Sequence, residues 1–87
     1  MRYEVEISES AEKSLEKIPK KDLLKILEKI DALEQDPMPA GSIKLKGYKE
    51  VLYRIRSGDY RVVYSIKQDV LIVLVVEIGH RREIYRY

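Results

Sequence analysis

The chain has 87 residues, of which 45% are hydrophobic and 37% charged, with a formal net charge of +2, one histidine and no cysteine. That length predicts a single domain over residues 1–87 built on one core, without a separate cofactor domain. Absent thiols exclude disulfides and thiolate metal sites, and a lone histidine argues against an imidazole-built zinc or iron site.

Residues 2–7 alternate, with Tyr3, Val5 and Ile7 on one face and Arg2, Glu4 and Glu6 on the other, the pattern of a half-buried strand. Ser8 or Ser10 can cap a following helix, Glu9 and Glu12 sit where the helix dipole favours negative charge, and Ala11, Leu15 and Ile18 recur at helical spacing. Pro19 interrupts the ladder of that helix and suits the first position of a second one. There Leu23, Leu24, Ile26, Leu27, Ile30 and Leu33 mark a wide apolar stripe. Such a helical hairpin must lay its stripe on a sheet.

Residues 36–42, DPMPAGS, close the second helix. Residues 43–45 predict a short edge strand, KLKGYKE a basic loop, residues 51–56 a strand, and residues 57–59 a turn. Residues 60–66 predict the next strand and residues 67–69 another turn. Residues 70–78 form the most apolar strand, expected near the middle of the sheet with something packed on each side, and Gly79 is expected to end it. The order predicts an α+β fold: an N-terminal strand, a two-helix hairpin, then a three- to four-stranded mostly antiparallel sheet. The longest apolar run, residues 70–76, is too short to span a bilayer, and MRYEVEIS carries charges where a signal peptide needs an apolar stretch. The expectation is a cytoplasmic protein without membrane contact, cofactor or metal.

Charge is unevenly distributed. Residues 1–43 carry 7 Lys and Arg against 10 Asp and Glu, whereas residues 44–87 carry 10 against 5. A basic face on an otherwise balanced domain is the footprint of a phosphate binder. If Gly58 and Asp59 form a two-residue turn, Arg56 lies across from Arg61 and Arg54 across from Val63, all on one face; a three-residue turn would move Arg61 to the other face. Facing guanidinium groups cost stability unless an anion lies between them. After Gly79, His80, Arg81, Arg82, Tyr85, Arg86 and Tyr87 add planar cations and rings suited to phosphates and bases. Arg54 and Arg56 also fit the solvent side of an amphipathic strand, whereas Arg61 is an isolated charge in an apolar and aromatic strand. Tyr53, Tyr60 and Tyr64 read as packing residues with a wet hydroxyl.

LYRIRSGDYRVVYSI, an apolar strand and GHRREIYRY together resemble the RelE side of the RelE/ParE superfamily of toxins from type II toxin–antitoxin modules. The N-terminal strand, helical hairpin and KLKG loop extend that resemblance over nearly the whole chain. It implies a RelE-like fold and a ribosome-dependent mRNA endonuclease that cuts A-site mRNA without a metal, restrained by a RelB-like antitoxin. Carried over by position, Arg54, Arg56, Arg61, Arg81 and Tyr85 match active-site positions. His80 is a second candidate for the general base, since arginine stays protonated. Lys44, Lys46 and Lys49 of the basic loop, with Arg82, Arg86 and Tyr87, are candidate RNA contacts. A ParE-like inhibitor of DNA gyrase, or an inactive RNA-binding homologue, are the alternatives within the same fold.

Overall fold

Short-range chemistry starts each helix in the computed structural model, which describes residues 2–80. Strand β1 (Glu4–Ile7) leads into α1 (Glu9–Glu16). The Ser8 hydroxyl caps α1, accepting from the Ala11 N–H at 3.1 Å, and donates to the Val76 carbonyl at 3.1 Å, which ties the helix start to the sheet. Helix α2 (Lys20–Ala32) follows directly. Pro19 is extended and occupies the capping position, one residue before the first helical position expected of it, and its carbonyl accepts the Leu23 N–H at 2.9 Å.

Four further strands complete the chain: β2 (Ile43–Leu45), β3 (Leu52–Ser57), β4 (Tyr60–Lys67) and β5 (Ile72–His80). They join β1 in one five-stranded sheet of order β1-β5-β4-β3-β2. All neighbours are antiparallel except β1 and β5, which run parallel, so the sheet is mixed. The expected α+β class, with helices on one face of a mostly antiparallel sheet, is what the chain adopts.

The helices cover one face. Ala11, Ile18, Ile26, Ile30 and Leu33 pack on Ile55, Val62, Tyr64, Val73, Val75 and Ile78, all buried. Leu24 departs from the predicted stripe and is 56% exposed, because two residues along a helix place it almost opposite Ile26. A β-bulge between Val63 and Tyr64 on the pairing with β5 inserts Val76 as an extra residue. That insertion shifts the alternation of β5, so Val73, Val75 and Ile78 all meet the helices despite their mixed spacing.

Three local expectations are revised. β5 begins two residues late: Val70 is exposed in the turn and Leu71 has φ 54°, a left-handed conformation costing a leucine roughly 1–2 kcal/mol. There the Leu71 carbonyl accepts the Glu4 N–H at 2.9 Å, so the strained residue helps dock β1. Gly79 lies inside β5 instead of ending it. Finally, β5 sits between β1 and β4, but only one of its faces carries a helical layer. On the other, the described residues form only a small cluster of Leu52 and Val63 with Leu45 and Val76 against it.

Candidate functional site

The face opposite the helices carries three arginines. Gly58 and Asp59 form a two-residue turn, with positive φ (61°) at the glycine alone, as a type II′ hairpin requires. Of the two possible registers this selects Arg56 opposite Arg61 and Arg54 opposite Val63, so the three arginines share the face away from the helices. On its other side Arg61 pairs with Gly79, which contributes no side chain beside the guanidinium. A glycine within an apolar strand pattern, read as a strand end, is here an interior position of β5.

Glu77, opposite Val63, shares this face, but among the described residues the ion pairs are Arg2 with Glu34 and Lys13 with Glu9, none with the three arginines. The Nε atoms of Arg54 and Arg61 are buried without a hydrogen-bond partner, as is the Ser65 hydroxyl on the same face. Burial first, then the charges of Arg61 and Arg56, lower the pKa of Arg54 from its ordinary value. Like charges held together in a partly desolvated setting lower their mutual repulsion when an oxyanion arrives. Two or three planar forks converging from neighbouring strands suit phosphate oxygens.

A cleft of about 460 Å³ runs beside these arginines, between the free edge of β3 and α2, lined by Arg54, Arg56, Lys29 and the loop residues Pro39, Ala40 and Gly41. The loop that lines it is tied to the sheet by Tyr64, whose hydroxyl donates to the Pro37 carbonyl at 2.8 Å while its ring is fully buried and stacks on Tyr53 at 5.9 Å. Burial is the main reason its pKa is pushed up to about 12. Tyr64 is thus a core residue, as its sequence context implies, but its hydroxyl is bonded within the chain instead of wet.

The remaining candidates fall elsewhere. His80 pairs with Tyr60, and their rings meet edge to face at 5.6 Å. Since Arg61 pairs with Gly79 one residue along, the register puts His80 on the face opposite Arg56 and Arg61. Lys44 pairs with Tyr53 and so also lies on the helix side of the sheet, whereas Ile43 and Leu45 share the arginine face. Lys46 and Lys49 are exposed in the loop after β2. Arg81, Arg82, Tyr85, Arg86 and Tyr87 lie outside the described residues.

The architecture and sequence are similar to those of known toxins. Residues 5–85 match the ParE toxin of type II toxin–antitoxin systems, parDE. A Methanocaldococcus jannaschii relative that carries the name RelE1 is 35% identical over 99% of this chain and 98% of its own length. Toxin RelG of Mycobacterium tuberculosis is 29% identical over 99% of both. Among solved structures, the archaeal RelE–RelB complex from Pyrococcus horikoshii superposes with a TM-score of 0.81 at 36% identity, covering 93% of this chain and 97% of the other. The isolated Escherichia coli RelE toxin gives 0.77 at 26% identity, covering 97% and 92%. With its family match spanning nearly the whole sequence and its fold shared with RelE toxins, the chain belongs to the RelE/ParE family and is the toxin of a type II toxin–antitoxin system.

Proposed function

We propose that this toxin is a ribosome-dependent endoribonuclease that blocks translation by cutting mRNA in the ribosomal A site. The observation that carries the reading is the cluster of Arg54, Arg56 and Arg61 on one sheet face, without a carboxylate partner among the described residues and with two buried Nε donors unused. In the reaction a ribose 2′-OH attacks the adjacent phosphate, the new O2′–P bond forms as the P–O5′ bond breaks, and the products are a 2′,3′-cyclic phosphate and a 5′-OH end. The 2′-OH proton goes to a general base and the leaving O5′ receives one from a general acid. The arginines, joined in this role by Arg81, neutralise the charge that builds on the non-bridging oxygens, an effect worth about 2.7–4 kcal/mol per well-placed donor.

Arginine does not serve as the base. The register that turns His80 away from Arg61 favours Tyr85 in that role. Lys44, Lys46 and Lys49, with Arg82, Arg86 and Tyr87, supply outer contacts to RNA, and the ribosome holds the mRNA in line for attack. The protein works in the cytoplasm, where a RelB-like antitoxin whose acidic side chains pair with the arginines holds it inactive, as the RelB-bound structures of similar toxins support.

A cell-free translation reaction with a defined mRNA, mapped by primer extension, tests this. Cuts that require ribosomes and disappear with Arg61→Ala and Arg81→Ala are expected; intact mRNA and normal translation would sink it. A second reading, inhibition of DNA gyrase, is favoured by the match to the ParE toxin of parDE. Loss of supercoiling by purified gyrase, with translation unimpaired, is its signature. RNA binding without cleavage would mark an inactive homologue.

A further inference from the structure

The arginine face does not stop at the hairpin. β2 pairs with β3 only as far as Arg54, so among the described residues the edge of β3 from Ile55 to Ser57 is uncovered. Across that edge Arg56 lines both the 460 Å³ cleft and a second one of about 600 Å³, whose far bank is α2 with Lys25, Glu28 and Lys29. The two clefts share Lys29, Ala32 and Arg56 and so form one trough continuous with the arginine face.

The lysines on that bank are arranged unusually. Lys21, Lys25 and Lys29 recur at i, i+4, a spacing that sets like charges over one another and disfavours the helix. Asp22, Glu28 and Asp31 are close in sequence, yet neither Lys25 nor Lys29 forms an ion pair among the described residues. On α1, by contrast, Lys13 pairs with Glu9 at i, i+4. The trough therefore presents Arg54, Arg56, Lys25 and Lys29 against the single acid Glu28.

We infer that an RNA sugar–phosphate backbone leaving the arginine face crosses the free edge of β3 and lies in the trough between β3 and α2, where Lys25 and Lys29 contact its phosphates. This rests on the RNA reading above and extends it by a second, non-catalytic binding segment. Phosphates suit the trough better than a polypeptide does: Leu24, Met38, Ile43, Val51 and Val70, the large exposed apolar side chains that would anchor a docked chain, all lie outside it. Ala32, Pro39, Ala40 and Gly41 keep the walls low enough for a backbone to pass.

The test is equilibrium binding of the labelled toxin to ribosomes programmed with an mRNA carrying 2′-O-methyl groups, which cannot be cut, measured across a salt series. Each phosphate contact on single-stranded RNA contributes about 0.7 to the slope of log K against log salt. The Lys25→Gln/Lys29→Gln variant is expected to bind more weakly with a slope shallower by about 1.4. Lys17→Gln/Lys20→Gln removes two exposed lysines outside the trough and is expected to keep the wild-type slope. An unchanged slope in the trough variant, with wild-type binding intact, overturns the inference and leaves the nuclease reading standing. Wild-type toxin that binds neither programmed ribosomes nor free RNA overturns both. An unchanged RNA slope together with lost binding to poly-glutamate reassigns the trough to an acidic protein partner and overturns the inference.

Discussion

The two faces of the sheet are built on opposite principles. Against the helices, Ile26, Ile30, Val62, Tyr64, Val73, Val75 and Ile78 are nearly or wholly buried, and the one polar group among them, the Tyr64 hydroxyl, is bonded to Pro37. On the far face Arg54, Arg56 and Arg61 crowd together, Glu77 sharing that face opposite Val63 but no ion pair joining a carboxylate to these arginines among the described residues, and buried donors are left over. One strand pair supplies both: β3 and β4 alternate side by side, so each apolar residue that builds the core leaves its neighbour to build the site. The contrast teaches that stability is concentrated on one side, which lets the other hold an arrangement that is unfavourable until a ligand completes it.

The largest effect should come from the helix face. Ile30→Ala removes a side chain that is 2% exposed and is expected to lower the unfolding free energy by about 2–5 kcal/mol in a urea titration. A loss below about 1 kcal/mol would mean that the helices do not carry the core. Next, Arg61→Ala is expected to slow ribosome-dependent cleavage by roughly 10²–10³-fold while the circular dichroism spectrum stays native. If activity and stability fall together, the division between the faces is wrong.

Tyr64→Phe keeps the buried ring and deletes only the bond to the Pro37 carbonyl, with an expected loss of about 0.5–1.5 kcal/mol. Because the tyrosine pKa is pushed up to about 12, the hydroxyl stays protonated and its donated bond persists through ordinary alkaline pH; absorbance titration should find a tyrosine ionising near that value that Tyr64→Phe removes. The smallest effect has the most diagnostic sign. Arg61→Gln relieves the like-charge pair with Arg56 and is expected to leave stability unchanged or raise it by about 0.2–1 kcal/mol at low salt, a gain that fades as salt rises. Clear destabilisation would show that Arg61 is structural.

Much of this was legible in the sequence because its causes are short-range. Ser8 and the acidic first turn announced α1, the 3.6-residue stripe announced α2, and Ser57, Gly58 and Asp59 announced the hairpin whose two registers could be written down in advance. Leu24 and Gly79 were misread for a common reason: hydrophobicity and flexibility were visible, but which neighbour each residue would meet was not. The same holds for Leu71, whose left-handed backbone follows from the docking of β1 more than from any preference of leucine.

The sequence by itself determined the order of elements, the amphipathic faces, and the concentration of arginine and tyrosine in the second half, since periodicity and turn chemistry act over a few residues. Only the tertiary structure decided that β1 would pair parallel with β5, that a bulge would turn Ile78 back to the core, and that Gly79 would stand beside Arg61. Those outcomes join residues distant along the chain. They depend on which arrangement buries the most apolar surface while satisfying the backbone, a comparison that no single stretch of sequence contains.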